Sequence, residues 1–330
     1  MSRGDKMETL FHKLEEILSK YKRMIIMSHQ NPDLDAIGSS MGLSCILKKM
    51  GKESYIFLHS DKKEEYNSSV RQALEKVTNI EYLYPNTYQE KVDEDTVLII
   101  LDVHQKERIE YPEILKNISK VIVLDHHIKS NSYIKETELF YIDSTMSSMV
   151  EFVSRFAKYY GVNLGILVST VMLAGMEIDT NGFNLKTTEK TFEMAAYLTR
   201  MGADSVLKQT LLKESKDEYL RRADFIKSSF IIYGNIGMCI LTTPTCQKEE
   251  LAEVAEELLK LEYVAASFAI GQLEEGLVGV SARSIGDINV CDIMKKLGGG
   301  GHATNAASQI PDKTVKEVEH MIKTVLGESL

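Results

Sequence analysis

The chain has 330 residues, of which 44% are hydrophobic and 26% are charged, and its formal net charge is −9. This composition is typical of a globular protein, and the length predicts two domains. The acidic balance argues against a long nucleic-acid partner, because such binding depends on cations that neutralise phosphates. No apolar run approaches the roughly 18 residues that cross a bilayer, and the charged N-terminus does not have the form of a signal peptide. We therefore expect a cytoplasmic protein without a membrane partner.

Apolar strands and helical segments alternate through the first 204 residues. This alternation predicts βαβ units and a parallel sheet, and therefore an α/β, doubly wound domain over residues 1–204. In chain order, the predicted elements are a helix over 9–22, a strand over 24–28, a helix over 32–51, strands over 97–101 and 121–124, a strand that ends near 143, and helices over 146–160, 163–178 and 187–201.

A charged stretch without strands, residues 205–230, predicts a helical connector. The chain beyond it alternates again and predicts a smaller α+β domain over residues 231–330. Its predicted elements are a hairpin around Gly234-Asn235, a helix within 248–262, a strand pair within 264–283, a helix over 289–297, a glycine-rich loop that runs into a strand, and a helix over 313–326.

Acidic and imidazole side chains follow several predicted strands at the point where each strand ends. Because the carboxyl ends of parallel strands meet in one crevice, we expect these groups to converge there, together with the acid that closes the apolar helical run "VMLAGMEID". The groups are His29, Asp33, Asp35, Asp102, the triplet Asp125-His126-His127, and Asp179.

Two divalent metal ions would satisfy such a cluster. Neighbouring carboxylates raise each other's pKa unless a cation lies among them. Asp33 and Asp35 are two residues apart and point to the same side of an extended turn, so each can serve a different ion. Imidazole and carboxylate donors without thiolates favour Mn²⁺ and are compatible with Mg²⁺, Fe²⁺ or Zn²⁺. Two such ions activate water against a phosphoryl group, so the predicted reaction is hydrolysis of a phosphate ester or anhydride.

His127 is the imidazole that this ligand set leaves over. It either contacts the scissile phosphate or protonates the leaving oxygen, or it supports a metal ligand from behind. The residues alone leave these roles open.

The glycine-rich stretch "LGGGGHATNAAS", residues 297–308, predicts a phosphate-binding loop. Backbone N–H groups of Gly299, Gly300 and Gly301 can point into a concavity that holds an anion, and His302 can add a charge-assisted contact. Arg283, at the end of a predicted strand, suits a bidentate phosphate contact or, alternatively, a surface salt bridge. Together these features predict a second domain that holds the substrate.

These motifs resemble those of the DHH/DHHA1 phosphoesterase superfamily over nearly the whole chain. "SHQNPDLDAIGS", "LDVH", "LDHH" and "EIDTNGF" resemble its four motifs, and "GGGGH" resembles the signature of its accessory substrate-binding domain. The resemblance implies two Mn²⁺ ions bridged by Asp102, and a substrate phosphate held by Arg283 and the 299–302 loop. It places the metal ligands at His29, Asp33, Asp35, Asp102, His126 and Asp179.

Within the superfamily, "SARSIGDINVCDIMKKLGGGGHATNAASQ" is similar to the catalytic portion of the GdpP-type cyclic di-AMP phosphodiesterases. This resemblance implies hydrolysis of cyclic di-AMP, of linear pApA, or of both. GdpP-type proteins carry transmembrane, PAS and degenerate GGDEF segments before this portion, whereas about twenty residues precede the first strand here. The alternative is a nano-RNase and pAp phosphatase of the same superfamily, a group that tends to show "AAG" where this chain has "TNAAS".

Two further functions are disfavoured. A manganese pyrophosphatase shares the DHH strand but needs a clamp lined by lysine and arginine in place of a glycine loop. A nucleotide-binding regulator without turnover would usually lack a metal ligand, and here every ligand position is filled. The amphipathic N-terminal helix and the 205–230 connector would suit a homodimer.

Overall fold

The computed structural model describes residues 3–329, so Met1, Ser2 and Leu330 of the two predicted domains lie outside the described residues. The chain divides into two compact units, Met1–Glu214 and Ser215–Leu330. Each unit is built around its own six-stranded sheet. Within the described residues, no helix is both long enough and apolar enough to span a bilayer.

The first unit contains a parallel sheet with the strand order β3-β2-β1-β4-β5-β6. The predicted parallel sheet is confirmed, and the order reverses between β1 and β4, where ligands bind in doubly wound folds. Sequence analysis did not predict β2 and β3. The strands are β1 (Arg23–Met27), β2 (Glu53–Phe57), β3 (Glu81–Leu83), β4 (Thr96–Leu101), β5 (Val121–Asp125) and β6 (Leu139–Ile142).

The two faces of this sheet are covered differently. Alternate residues of a strand point to opposite faces, so Ile26 and Ile99 enter one core while Ile25 and Leu98 enter the other. Every α-helix of the unit contributes to the first core, and loops with short 3₁₀ turns cover the second. The helices are α1 (Arg3–Ser19), α2 (Leu34–Lys49), α3 (Ser68–Lys76), α4 (Met149–Tyr160), α5 (Gly165–Asp179), α6 (Glu189–Arg200) and α7 (Ser205–Leu211).

The second unit has a mixed sheet with the order β11-β12-β10-β9-β8-β7, in which only the pair β8 and β9 is parallel among the described strands. This confirms the predicted α+β unit, with its hairpin around Gly234-Asn235. The strands are β7 (Phe230–Ile232), β8 (Ile236–Ile240), β9 (Ala266–Glu274), β10 (Leu277–Ser284), β11 (Gly300–Gly301) and β12 (Asn305–Pro311). The helices are α8 (Lys216–Ser228), α9 (Lys248–Leu258), α10 (Val290–Lys296) and α11 (Val315–Ser329).

The stretch 205–230 is largely helical, but its two helices belong to different units. α7 packs into the first core through Leu211, whereas α8 packs on the second sheet through Phe225. The boundaries 1–204, 205–230 and 231–330 stay a prediction.

Candidate metal centre

Strand register brings His29 and Asp102 together at the switch point of the first sheet. Met27 on β1 pairs with Ile100 on β4, so His29 lies beside Asp102 when the register is continued by two residues. His29 Nε2 is 3.5 Å from Asp102 Oδ2. His29 Nδ1 is 2.8 Å from the carbonyl oxygen of Gln30, and a hydrogen bond donated there leaves Nε2 directed toward Asp102. Asp102 has a left-handed φ of 65°, a strained conformation that accumulates at functional sites.

His126 joins the same cluster from the end of β5. Its Nε2 lies 3.0 Å from Asp102 Oδ1, 3.1 Å from Asp179 Oδ2 and 3.8 Å from Asp35 Oδ2. Asp179 is the last residue of α5. All six metal ligands that the resemblance implies therefore lie in one cluster. Three overlapping groups have potential ligand atoms within 4.8 Å of one another: His29, Asp33 and Asp102; Asp102, His126 and His127; and Asp35, His126 and Asp179.

The start of α2 positions two of these carboxylates. Asp33 is the N-cap of α2, and its Oδ1 accepts a hydrogen bond from the Ala36 N–H at 2.9 Å. Asp35 is fully buried, and its two oxygens accept the N–H groups of Met149 and Val150 at 2.8 Å each. Asp35 therefore ties the N-terminus of α4 to the cluster.

A glycine of α5 permits the close approach of α2. A Cβ atom at Gly175 would lie 2.4 Å from the backbone oxygen of Leu34 and 2.8 Å from the Cα of Asp35, far inside van der Waals contact. α5 carries Asp179 and α2 carries Asp35, so this contact sets the distance between two of the carboxylates.

The cluster is strongly polarised. Burial and the Asp179 carboxylate raise the pKa of Asp33 to about 6, and burial raises the pKa of Asp35 well above its usual value. Burial alone would lower the pKa of His29, but the carboxylates of Asp102 and Asp33 outweigh it and raise that pKa to about 10. Despite burial, the neighbouring imidazoles hold the pKa of Asp102 well below its usual range. In the described part of the chain, the cluster's aspartates form ion pairs with histidines only.

The residues present fit divalent metal ions. Asp102 Oδ1 and both ring nitrogens of His126 are buried and have no hydrogen-bond partner among residues 3–329. Buried polar atoms are rarely left this way unless something else satisfies them. Neighbouring ligands of an octahedral ion at about 2.1 Å lie about 3.0 Å apart, and His126 Nε2 has this separation from oxygens of Asp102 and Asp179. The two oxygens of Asp102 face different histidines, which is compatible with a carboxylate shared by two ions.

His127 is held by a carboxylate that sequence analysis left unassigned. Its Nδ1 lies 2.8 Å from Asp125 Oδ1, and Asp125 Oδ2 lies 2.5 Å from His104 Nδ1. His104 Nε2 accepts the Ser130 N–H at 2.9 Å, so Nδ1 carries the proton donated to Asp125. The ring of His127 is half exposed, which leaves its Nε2 for other partners. The "LDVH" and "LDHH" motifs contain His104 and Asp125, but their contact spans 21 residues and no local pattern indicates it.

The predicted substrate residues lie in the second unit. Gly300 and Gly301 form β11 and pair with Ala307 and Ala306, while the His302 N–H donates to the Asn305 carbonyl at 2.6 Å. The glycine loop is therefore one side of a tight hairpin.

Arg283 on β10 is largely buried. Its Nε donates to Glu256 Oε1 at 3.1 Å, and its Nη1 donates to Ser281 Oγ at 3.0 Å. The structure therefore contains the salt bridge that was the alternative for this residue, and a substrate contact of Arg283 stays a prediction.

Family comparison follows the same division of the chain. Residues 23–176 match the DHH family, N-terminal domain, and residues 235–328 match the DHHA1 domain. The chain belongs to the DHH/DHHA1 family. The resemblance predicted from the sequence motifs is confirmed, and the candidate metal centre described above lies at the carboxyl edge of the DHH sheet.

Several members of this DHH/DHHA1 family are similar over most of the chain. The cyclic-di-AMP phosphodiesterase GdpP of Geobacillus thermodenitrificans is 34% identical over 322 residues, which cover 96% of this chain and 49% of that protein. The bifunctional oligoribonuclease and PAP phosphatase NrnA of Thermus thermophilus is 26% identical over 317 residues, which cover 92% of this chain and 89% of that protein. This chain thus spans about half the length of GdpP and most of NrnA.

A solved structure shares the fold. The exopolyphosphatase-related protein of Bacteroides fragilis superimposes with a TM-score of 0.80 at 19% identity, over 97% of this chain and 96% of that one. This similarity supports the two-unit architecture.

Proposed function

We propose that this DHH/DHHA1 protein hydrolyses the phosphodiester bonds of cyclic di-AMP, of linear pApA, or of both, with divalent metal ions as cofactors. The observation that carries the proposal is the convergence of six carboxylate and imidazole groups at the switch point of the sheet. The 34% identity to a cyclic-di-AMP phosphodiesterase over nearly the whole chain supports this choice of substrate.

The donor set suits two ions of a hard or borderline metal. Carboxylate oxygens and imidazoles favour Mn²⁺, with Mg²⁺ as an alternative. When bound, the ions supply a hydroxide at neutral pH and stabilise negative charge on the phosphoryl oxygens. The residues that would hold them are His29, Asp33 and Asp102 for one ion, and Asp35, His126, Asp179 and the second oxygen of Asp102 for the other.

The remaining imidazole, His127, serves the reacting phosphate. Its Nδ1 is engaged by Asp125, so its Nε2 is free to contact a phosphoryl oxygen or, when protonated, to donate a proton to the leaving oxygen. The half-exposed ring is accessible to a substrate.

In this proposal the DHHA1 unit holds the substrate phosphate through Gly299, Gly300, Gly301, His302 and Arg283. Backbone N–H groups of a glycine loop suit an anion. The Gly299 N–H already donates to the Met294 carbonyl and the His302 N–H to the Asn305 carbonyl, so contacts from these two residues would require other atoms or a rearranged loop. The proposal also includes a cytoplasmic location and a homodimer, which cell fractionation and light scattering after size exclusion would test.

A second candidate is a nano-RNase and pAp phosphatase activity. The similarity to NrnA, which this chain matches over 89% of its length, favours it. The two candidates share the metal centre and differ in substrate.

Product analysis separates them. The purified protein and Mn²⁺ are incubated with cyclic di-AMP, with pApA and with pAp in three parallel reactions. Rapid loss of cyclic di-AMP with accumulation of pApA supports the first candidate's cyclic activity. Loss of pApA and pAp with persistence of cyclic di-AMP supports the second.

Asp102→Ala tests the metal centre itself. We expect this variant to lose turnover on every substrate while it keeps its circular dichroism spectrum, because both ion positions share Asp102. Asp224→Asn, an exposed substitution on α8 in the other unit, is the control. Undiminished hydrolysis by a folded Asp102→Ala variant would refute the proposal.

A further inference from the structure

His59, a histidine that the metal centre does not use, follows β2 at the same carboxyl edge of the first sheet. Ile26 on β1 pairs with Ile56 on β2, and His29 and His59 each follow three residues after this last pair. The register between β1 and β4 aligns His29 with Asp102 on its other side. Beyond the paired part of these strands, the segment at Ile109 bridges to His29 on the β2 side, so this segment lies between His29 and His59. Because adjacent strands lie about 4.8 Å apart, His59 is about two strand spacings from His29.

A buried carboxylate fixes the ring of His59. Glu110 Oε1 lies 3.0 Å from His59 Nδ1 and also accepts the His59 N–H at 3.0 Å. The Glu110 N–H in turn donates to the Ser28 carbonyl at 2.9 Å, beside His29. Only 1% of the Glu110 side chain is exposed, and its Oε2 has no hydrogen-bond partner in the described chain. Glu110 is thus a buried carboxyl group placed against one imidazole and tied to the segment after β1 that carries His29.

An aromatic ring supports His59 from another side. The Tyr66 ring lies 4.7 Å from the His59 ring, and the Tyr66 hydroxyl accepts the Ser60 N–H at 3.1 Å. These contacts leave Nε2 as the outward nitrogen, and 34% of the side chain is exposed. His59 is therefore oriented toward solvent at the same edge as the metal centre.

The pair suits an anion better than a metal ion. The hydrogen bond with Glu110 raises the pKa of His59, which favours the cationic imidazolium, while burial raises the pKa of Glu110 itself. Among the described residues, neither His59 nor Glu110 belongs to a group of converging potential metal ligands. A cationic imidazole held by a buried carboxylate forms charge-assisted hydrogen bonds with phosphate oxygens.

We propose that His59, positioned by Glu110, contacts the second, uncleaved phosphate group of a dinucleotide substrate. This inference rests on the proposed function. The scissile phosphate would occupy the metal centre beside His29 and Asp102, and one nucleoside links it covalently to the second phosphate. The carboxylate-rich cluster repels that second negative charge, whereas His59 offers a positive charge about two strand spacings away.

Glu65 gives the proposal a test of opposite sign. Its Oε2 lies 4.0 Å from His59 Nε2, and its side chain is 46% exposed in a 3₁₀ turn. A phosphate that binds His59 must displace this weak pair. Glu65→Gln should therefore tighten binding of a substrate with a second phosphate, while His59→Gln and Glu110→Gln should weaken it.

The experiment compares pApA with ApA, which lacks the terminal phosphate, for the wild type and the three variants. The readout is KM, or the inhibition constant for a compound that is not cleaved. We expect His59→Gln and Glu110→Gln to raise the value for pApA about tenfold, the order of one charge-assisted hydrogen bond, and to leave that for ApA unchanged. Glu65→Gln should lower the value for pApA only.

Two outcomes overturn the inference. If the wild type cleaves pApA and His59→Gln keeps the wild-type ratio between pApA and ApA, His59 does not read the second phosphate and the proposed function stands. If the wild type cleaves neither pApA nor cyclic di-AMP with Mn²⁺, the proposed function fails and the inference fails with it. Retained affinity for ApA shows that a variant is folded.

Discussion

Asp125 Oδ1 lies 2.8 Å from His127 Nδ1, and this contact leaves Nε2 as the ring nitrogen of His127 that can meet other partners. The other oxygen of Asp125 is engaged by His104, so the carboxylate cannot turn away from either imidazole. Burial alone would raise the pKa of Asp125, but the two imidazoles outweigh it and hold the pKa below its usual range. Asp125 thus stays ionised, and in the proposed function it positions His127 and does not itself touch the reacting phosphate.

Asp125→Asn tests this arrangement. An amide presents an NH₂ group to one of the two imidazoles, so it cannot accept hydrogen bonds from both. We expect kcat to fall about 10- to 100-fold, the usual cost of losing a carboxylate that orients a site histidine. Metal affinity, measured by calorimetry, distinguishes loss of His127 orientation from loss of the neighbouring ligand His126. An unchanged kcat, with Asp224→Asn as the matched control, contradicts the assigned role.

Stability of the metal-free protein should fall as the pH rises. The folded-state pKa of Asp33 is about 6, above its ordinary 3.8, so the folded state binds this proton more tightly over that interval. The folded-state pKa of His29 is about 10, above its ordinary 6.5, so its contribution is complete below pH 6.5 and is lost as the pH rises toward 10. Both groups therefore lower the stability of the folded state as the pH rises.

Urea unfolding in EDTA at about pH 5 and about pH 8 measures this effect, and we expect a loss on the order of 1–3 kcal/mol at the higher pH. Saturating Mn²⁺ should remove or reverse the loss, because the ion binds the deprotonated carboxylates of the folded state. A metal-free protein that becomes more stable between these pH values would speak against the electrostatics described here.

Gly175→Ala should damage both stability and activity. The added Cβ meets the backbone of α2 at 2.4 Å, and backbone cannot turn aside. We expect a loss of about 1–3 kcal/mol of unfolding free energy and, because Asp35 moves, a kcat lower by about 10- to 100-fold. Gly42→Ala is the matched control in the same helix contact, since its Cβ meets the flexible Met172 side chain at 2.6 Å. Equal effects of the two substitutions would contradict the argument.

The glycine loop offers a separation of structure from binding. A Cβ at Gly299 would lie 2.2 Å from the Ala307 oxygen, and Gly301 combines a φ of 142° with a Cβ 2.4 Å from the Asn305 oxygen. Gly300 has open space around its Cβ position. Alanine at 299 or 301 should therefore lower the melting temperature by several degrees, whereas Gly300→Ala should not. A raised KM for Gly300→Ala at unchanged stability would identify the backbone there as a phosphate contact. An unchanged KM would count against the predicted role of that residue.

The central strands of the first unit could be predicted from the sequence because their apolar runs are clearly bounded. β4 and β5 are apolar runs that stop at an acid or a histidine. This abrupt change indicates that functional side chains lie at the end of the strand. β2 escaped prediction because "ESYIF" mixes polar and aromatic residues although four of its five positions are buried. His59 was not identified as a candidate residue either, because its place at the sheet edge depends on β2 being a strand.

Partners far apart in the chain were also beyond local patterns. Glu110 and His59 are 51 residues apart, and Asp125 and His104 are 21 apart. Arg283 was predicted from its chemistry alone, which suits a phosphate and the Glu256 carboxylate equally well. Tertiary packing determines which of these partners meet, and local sequence patterns do not reveal it.

The contact between Asp35 and the first turn of α4 makes that turn a reporter of the metal centre. The N–H groups of Met149 and Val150 donate to the Asp35 carboxylate, which also belongs to a group that could hold a metal ion. A metal ion bound by Asp35 would fix this carboxylate, so we expect added metal to slow the exchange of these two protons with deuterium. Hydrogen–deuterium exchange at these two amides, 114 and 115 residues downstream of Asp35, would therefore report whether the centre holds metal.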